Sequence, residues 1–217
     1  LNRLLGQKVA IVSPKPQTTR DRICGVYNGA DCQIVFVDTP GLYKADNMLN
    51  SVMQKTVEDC AEDVDLILFV TDAHDGLTEK DVSLIKKYSS LGIPAVAVLT
   101  KTDIMPESLL LSELKQLGDV NAEVVPVSAR RGRNIKELLK VIKDKLPESE
   151  KIFGDDVISD RSEKFMISEI MREKILLKFD KEIPHGVAVI VNRFEKRAGG
   201  GIYDVDLDII CERQNHK

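Results

Sequence analysis

Polar side chains able to bind a nucleotide follow three apolar runs of strand length. The runs cover residues 34–37, 94–99 and 123–127. The groups that follow them are Asp38-Thr39-Pro40-Gly41, Thr100-Lys101-Thr102-Asp103 and Ser128-Ala129. Ligands of open α/β sheets bind at the carboxyl ends of the strands. The spacing therefore predicts a binding site built from the ends of three strands.

The first group has the residues that a phosphate sensor needs. The Asp38 carboxylate can hold Mg²⁺ through water, and the N–H of Gly41 can contact a terminal phosphate. Two adjacent hydroxyls, Thr18 and Thr19, lie in the polar segment 16–20 and can supply a further magnesium ligand. Taken alone, each pattern is more often an ordinary turn or a solvated loop. The polar groups at the other two strand ends are therefore needed to choose between a phosphate sensor and an ordinary turn or loop.

The second and third groups can recognise guanine. A carboxylate at Asp103 can accept hydrogen bonds from the N1–H and amino group of guanine, whereas adenine would leave it unpaired. The aliphatic part of Lys101 can lie against the base. A backbone N–H at Ser128-Ala129 can donate to the guanine O6. The alternative for Lys101 and Asp103 is a surface ion pair after a strand.

Strands and helices alternate through the first two thirds of the chain, which predicts an α/β fold with a mostly parallel sheet. Two strands at 22–27 and 33–37 are predicted to form a hairpin across Asn28-Gly29. The further strands are predicted at 65–71, 94–99 and 123–127, and the helices at 51–62, 78–90, 107–117 and 134–145. This order places the polar groups at one edge of the sheet.

A second, smaller region follows Pro147. Residues 148–160 are polar and predict a linker, and residues 162–179 predict a helix. The broad apolar face of this helix is predicted to contain Met166, Ile167, Ile170, Met171 and Leu177. Strands are predicted at 187–193 and 203–209. Asp204, Asp206 and Asp208 alternate with apolar residues, which favours a solvated strand face over a metal site.

The composition describes a chain with a substantial core and no strong charge bias. Of its 217 residues, 43% are hydrophobic and 30% charged, and the formal net charge is −4. This balance lacks the basic excess that is typical of nucleic-acid-binding domains. The four cysteines form no C-x-x-C pair and predict reduced thiols in a cytosolic protein, without a zinc site. No apolar run is long enough to span a membrane.

The motifs together resemble those of translation-related GTPases: switch I (residues 16–20), D-x-x-G, [NT]-K-x-D and S-A. Two further features resemble the Era family of bacterial GTPases. One is the sequence of Leu1–Ser13, and the other is a helix followed by two strands, with Glu-Ile-Pro-His-Gly at 182–186. The resemblance implies a GTPase domain with helices on both faces of its sheet at 1–147, and a linker at 148–160. A partial α+β type II KH domain, which binds RNA, is implied at 161–217.

The resemblance also implies a function and a set of ligands. GTP is hydrolysed to GDP in the complete protein, with Mg²⁺ held by Asp38 and Thr19. Nucleotide contacts are expected from the D-x-x-G, Thr100, Lys101, Asp103, Ser128 and Ala129 positions, with Thr18 and Thr19 in switch I. The implied partners are 16S ribosomal RNA and the 30S subunit during its assembly. A cytoplasmic monomer is expected, with contact to the inner face of the cell membrane as a further location. Catalytic residues remain unknown.

Two alternatives stay open at this point. One is a related GTPase that acts in tRNA modification or at membranes, and the KH-like region counts against it. The other is a non-enzymatic RNA-binding scaffold with a degenerate nucleotide site, and the presence of Asp38, Gly41 and Asp103 counts against it.

The sequence departs from the family pattern at several points. The phosphate-binding loop G-x-x-x-x-G-K-[ST] and the G-x-x-G loop of the KH domain are not among the 217 residues. We therefore expect a fragment that is inactive as given. Thr100 stands where many GTPases have Asn, which predicts weaker base binding because a hydroxyl cannot reproduce an amide. Leu42 cannot orient water as the usual Gln does, which predicts slow hydrolysis.

Overall fold

The computed structural model describes residues 1–13, 18–41, 48–72, 74, 76–90, 92–118, 120, 122–179 and 187–211. Its helices are α1 Asn2–Leu5, α2 Met48–Glu62, α3 Glu79–Ser89, α4 Glu107–Gln116, α5 Ile135–Lys145 and α6 Glu163–Lys178. Its strands are β1 Ile23–Asn28, β2 Gln33–Asp38, β3 Ile67–Asp72, β4 Ala95–Thr100, β5 Glu123–Pro126, β6 Val187–Lys196 and β7 Tyr203–Cys211. The predictions for Leu42, for Pro16-Gln17 of switch I and for the turn at 182–186 lie outside these residues.

The chain divides into two compact units. One unit combines Leu1–Glu58 with Phe153–Lys217, and the other is Asp59–Ile152. The first contains Thr18, Thr19 and Asp38, and the second contains Thr100, Lys101, Asp103 and Ser128. The functional boundaries at 147 and 161 stay a prediction.

The unit Asp59–Ile152 is built on a parallel sheet with the order β3-β4-β5. The central strand β4 is buried from Ala95 to Leu99, because helices and neighbouring strands cover a strand of alternating Ala, Val and Leu. Val98 pairs with Val70 on one side and with Val125 on the other. The prediction of a parallel sheet in an α/β fold is confirmed. The carboxyl ends of β3, β4 and β5 lie at one edge of this sheet.

Helix α3 begins where the sequence predicted it, because Thr78 caps its first turn. The Thr78 side chain accepts from the Asp81 N–H at 3.2 Å, and the Asp81 carboxylate accepts from the Thr78 N–H at 2.9 Å. This reciprocal pair satisfies two backbone donors that helix geometry leaves open. The helix then contributes Ile85 to a core with Ala97 and Leu99.

In the other unit, β1 and β2 form the predicted antiparallel hairpin. The connection differs from the prediction, since Asn28 belongs to β1 and pairs with Gln33. The loop is therefore 29–32, closed by a 2.8 Å hydrogen bond from the Gly29 N–H to the Cys32 carbonyl. The Asn28 side chain donates to the Asp155 carbonyl at 3.1 Å, which holds this residue in the strand rather than in a turn.

Part of the segment predicted as a linker lies along the edge of β1. The Val26 N–H donates to the Ile158 carbonyl at 3.0 Å, and the Cys24 N–H donates to the Asp160 carboxylate at 2.9 Å. Gln33 exchanges two hydrogen bonds with the Phe153 backbone, each of 2.9 Å. The segment thus satisfies backbone groups that an open strand edge would expose.

Helix α6 occupies the predicted position, but the predicted apolar face is wrong in part. Ile170 and Leu177 are exposed, whereas Ile175 and Leu176 are buried. The buried face also includes two charged residues, each 4% exposed: Arg172 and Glu173. A hydrophobic periodicity could not predict this arrangement, because buried charges depend on partners from other parts of the chain.

Strands β6 and β7 form an antiparallel hairpin that packs against α6 through Val187 and Ile175. Phe194 and Tyr203 stack across it with ring centroids 4.8 Å apart. The predicted apolar face of β7 is wrong in part: Tyr203, Val205 and Ile209 are exposed, and only Leu207 of that face is half-buried. No helix in the described part of the chain has the length and apolar character needed to cross a membrane.

Candidate nucleotide-binding site

The proposed base-binding residues Asp103 and Ser128 lie in direct contact. The Ser128 hydroxyl donates to Oδ1 of Asp103 at 2.6 Å and accepts from the Arg131 N–H at 3.0 Å. Ser128 is fully buried and follows the last residues of β5, while the Thr102 N–H donates to the Val127 carbonyl at 3.3 Å. The loops after β4 and β5 are therefore joined to each other, which fixes the direction of the Asp103 carboxylate.

The pKa of Asp103 lies below its ordinary value. The hydrogen bond from Ser128 is the main cause, and the positive charges of Arg130 and Arg131 add to it. Asp103 is partly exposed, so a ligand can reach its carboxylate. An ionised carboxylate that is already oriented suits the paired donors on the N1–C2 edge of guanine.

Lys101 has a left-handed backbone with φ of 60°, which is unfavourable for a residue with a side chain. Its ammonium group forms an ion pair with the Asp72 carboxylate at the end of β3. Because Asp72 pairs with Thr100 in the sheet register, the two side chains leave neighbouring strands at the same level. Strained residues occur at functional sites more often than elsewhere, which favours a ligand role for Lys101.

Asp72 was not among the predicted site residues, and the structure identifies it as the partner of Lys101. The available signal was a further carboxylate at the end of an apolar strand, as at Asp38. Thr100, whose side chain was expected to weaken base binding, donates its hydroxyl to the Thr71 carbonyl at 2.8 Å. The hydroxyl thus joins β4 to β3.

We predict that Ser128→Ala weakens guanine nucleotide binding about tenfold, because a carboxylate held by one fewer hydrogen bond is less well oriented. The pKa of Asp103 would move back toward its ordinary value, but the group would stay ionised at neutral pH. Titration calorimetry with GDP measures the change. The matched control is Ser112→Ala on the exposed side of α4. Unchanged GDP affinity in Ser128→Ala would contradict the role given to this hydrogen bond.

Asp38, the candidate ligand for phosphate and metal, is the last residue of β2. Burial raises the pKa of Asp38, and a hydrogen bond from the Thr19 side chain opposes the rise. Pro40 is fully buried and Gly41 is exposed, so the chain leaves the core at this turn. Thr19 and Asp38 were both predicted as magnesium ligands, and they are in contact.

The oxygen donors of Asp38 and Thr19 fit a magnesium ion. Carboxylate and hydroxyl oxygens are the hard ligands that Mg²⁺ prefers. The partly buried Asp38 carboxylate is less stable in its ionised form than it would be in water, and a divalent cation would offset that cost. Within the described residues, no group of three or more His, Cys, Asp or Glu side chains is arranged to hold a metal. Water and a nucleotide phosphate are the further oxygen ligands that a magnesium ion held by Asp38 and Thr19 would take.

The backbone next to Thr19 is held by α6. Nη2 of Arg172 donates to the Thr18 carbonyl at 2.6 Å, and the Glu173 carboxylate accepts from the Val12 N–H at 2.8 Å. Arg172 and Glu173 were not among the predicted site residues. Two adjacent opposite charges in a helix carry no signal in the sequence, because such pairs usually lie on a solvated face.

Comparison with known proteins assigns the family. The chain is 38% identical over 219 residues to GTPase Era of Clostridium kluyveri, covering 100% of this chain and 74% of that protein. It is 42% identical over 221 residues to GTPase Era of Lactobacillus delbrueckii subsp. bulgaricus, covering 100% and 72%. This chain belongs to the Era family of GTPases. Residues 1–101 also match the family described as 50S ribosome-binding GTPase.

Two solved Era structures share this fold over almost the whole chain. One is Era in complex with MgGDPNP and nucleotides 1506–1542 of 16S ribosomal RNA, with a TM-score of 0.90, 35% identity and coverage of 99% of this chain and 74% of that one. The other is an Aquifex aeolicus Era variant bound to GDP and AlF4⁻, with a TM-score of 0.90, 34% identity and the same coverage. The family and fold predictions are confirmed, and GTP, GDP and Mg²⁺ are the ligands of this family.

Proposed function

We propose that this protein is a GTP-binding and GTP-hydrolysing switch that binds 16S ribosomal RNA and assists assembly of the 30S subunit. The observation that carries the nucleotide part is the contact between Ser128 and Asp103, with the lowered pKa of that carboxyl. The RNA part rests on the similarity to the Era complex that contains 16S ribosomal RNA. The predicted division into a GTPase domain at 1–147, a linker and a KH domain at 161–217 belongs to this proposal.

Each site residue has a distinct role in the proposed mechanism. Asp103 accepts from the guanine edge, Lys101 lies against the base, and a backbone N–H at Ser128 or Ala129 donates to O6. Thr39 and Pro40 set the turn through which Gly41 reaches the terminal phosphate.

Asp38 and Thr19 would hold Mg²⁺, which neutralises charge on the β- and γ-phosphates when bound. Thr18 belongs to the same switch segment as Thr19. These two residues and Gly41 would therefore differ in order between the GTP and GDP states.

A competition experiment tests the nucleotide part. In the full-length gene product, we expect GDP and GTP to bind in the presence of Mg²⁺ and to be displaced by each other but not by ADP or ATP. Discrimination should exceed about a hundredfold, because adenine leaves the Asp103 carboxylate without its donors. Equal binding of GDP and ADP would refute the guanine assignment and favour a scaffold with a degenerate nucleotide site.

RNA binding is tested separately with a transcript of the 3′ end region of 16S ribosomal RNA. We expect crosslinking to this transcript to exceed crosslinking to a shuffled transcript of equal length, and to depend on whether GDP or a non-hydrolysable GTP analogue is bound. Preference for tRNA, or binding to vesicles without binding to either transcript, would favour a different member of the GTPase superfamily.

A cytoplasmic monomer that also contacts the inner membrane face remains part of the proposal, and gradient sedimentation of cell extracts checks it.

A further inference from the structure

Helix α6 carries a buried charge cluster that no predicted role explains. Arg172 and Glu173 have side chains only 5% exposed, yet they belong to the helix that starts the proposed RNA-binding region. Buried charges are costly unless their partners are well placed. The residues that Arg172 and Glu173 contact therefore indicate the role of this charge cluster.

Arg172 forms two kinds of contact at once. Its guanidinium donates to both carboxylate oxygens of Glu169, one turn earlier in α6, at 2.8 Å and 2.6 Å. Nη2 also donates to the Thr18 carbonyl at 2.6 Å. The Glu169 contact orients the guanidinium, so the Thr18 contact is made by a group whose direction is already set.

Glu173 holds the same part of the chain at a second point. Its Oε1 accepts from the Lys8 ammonium at 2.5 Å, and its Oε2 accepts from the Val12 N–H at 2.8 Å. Thus two consecutive residues of α6 bind the chain at Val12 and again at Thr18. The residue after Thr18 is Thr19, whose side chain hydrogen-bonds Asp38.

The helix itself is firmly placed in its unit. Ile175 and Val187 form a buried cluster between α6 and β6, and Nη1 of Arg20 donates to the Val187 carbonyl at 3.1 Å. The segment that contains Thr18 and Thr19 is therefore attached to α6 and to the first residue of β6. A rigid helix on one side can restrict the positions that Thr19 takes next to Asp38.

We propose that Arg172 and Glu173 are positioning residues for magnesium and the γ-phosphate, because they hold the Thr18-Thr19 backbone where the Thr19 hydroxyl meets Asp38. This inference rests on the proposed function. It adds that a helix outside the predicted GTPase domain determines how well the protein distinguishes GTP from GDP. Switch segments bind the γ-phosphate and its metal, so their positioning affects GTP far more than GDP.

The test compares affinities in the full-length gene product. We expect Arg172→Met to weaken binding of a non-hydrolysable GTP analogue with Mg²⁺ about tenfold, as is typical of coupling between sites, with GDP affinity changed less than about twofold. The difference should disappear when EDTA removes the metal. Glu173→Met should act in the same direction. The matched controls are Arg193→Met and Glu195→Met, an exposed pair on β6 whose members contact each other at 2.8 Å.

A double variant separates positioning from a general loss of stability. Arg172→Met leaves the Glu169 carboxylate buried without its main partner, which by itself destabilises the fold. Glu169→Gln combined with Arg172→Met removes that charge while the Thr18 contact is still missing. We expect the double variant to keep the selective loss of GTP affinity. If Arg172→Met alone does not fold, the double variant still shows whether loss of the Thr18 contact weakens GTP binding selectively.

Hydrogen exchange gives a readout that needs no nucleotide. In the metal-free and nucleotide-free protein, the Val12 amide should exchange faster in Glu173→Met than in Glu195→Met, because its acceptor is lost. Equal losses of GTP and GDP affinity, or restored GTP affinity in the double variant, would overturn the inference while leaving the proposed function intact. A wild-type protein without guanine nucleotide binding would instead refute the proposed function.

Discussion

Asp38→Asn should lower the affinity of the full-length protein for GTP with Mg²⁺ by about a hundredfold, which corresponds to about 3 kcal/mol, because the proposed metal site loses its charged ligand. The Asp38 carboxylate is the charged member of the proposed metal site, and Asn keeps its size and one acceptor oxygen. GDP binding should weaken less, because fewer phosphate charges then depend on the metal. Fluorescence titration with magnesium at fixed nucleotide measures both constants.

The same variant should unfold at a higher temperature than the wild type when metal and nucleotide are absent. Burial raises the pKa of Asp38, so the ionised form is less stable in the folded chain than in the unfolded chain. This cost is absent below the pKa of the unfolded chain and fully present above the folded-state pKa, so the difference in unfolding temperature should grow as the pH rises through that range. Asp156→Asn, which changes an exposed carboxylate in the same unit, is the control. Loss of stability in metal-free Asp38→Asn would contradict the metal-site interpretation.

Asp103→Asn should reduce GDP affinity by about a hundredfold, because one acceptor in a charge-assisted pair becomes an N–H donor facing the donors of guanine. The same change should improve binding of xanthosine diphosphate, whose C2 carbonyl can accept from the new amide. The Ser128 hydroxyl can still donate to the carbonyl oxygen of that amide, so the contact between the two loops is kept. The variant should therefore fold normally.

A competition assay between guanosine and xanthosine diphosphates measures this exchange of specificity. Asp144→Asn on the exposed side of α5 is the matched control in the same unit. If Asp103→Asn weakened both nucleotides equally, Asp103 would support the loop rather than recognise the base. That result would leave the Lys101–Asp72 ion pair as a structural contact after a strand.

The contacts of α6 give the proposed switch a physical basis. Thr18 and Thr19 lie between the proposed metal site at Asp38 and a helix of the proposed RNA-binding region. Coupling between binding sites is reciprocal, so a helix that affects GTP affinity must itself respond to GTP. The proposed coupling can therefore be measured either as the effect of RNA on GTP affinity or as the effect of GTP on RNA affinity.

The sequence by itself determined the α/β class, the succession of strands and helices along the chain, and the polar groups that follow the strands. Apolar runs such as Ala95–Leu99 read as buried strands whatever surrounds them, and the capping residue Thr78 marks a helix start locally. Asp103 and Ser128 were also predicted from sequence, because a guanine site needs a carboxylate and a backbone donor after particular strands; the structure places the two side chains in contact, and their role stays a prediction. Local patterns of this kind need no knowledge of distant contacts.

Only the tertiary structure decided which distant side chains meet. The pairing of Lys101 with Asp72 depends on the register between β4 and β3, which no local pattern reports. The burial of Arg172 and Glu173 depends on acceptors and donors about 150 residues away in the chain. Helical periodicity assigned α6 an ordinary apolar face, whereas the folded chain gives that face a charge cluster that holds the proposed magnesium-binding segment.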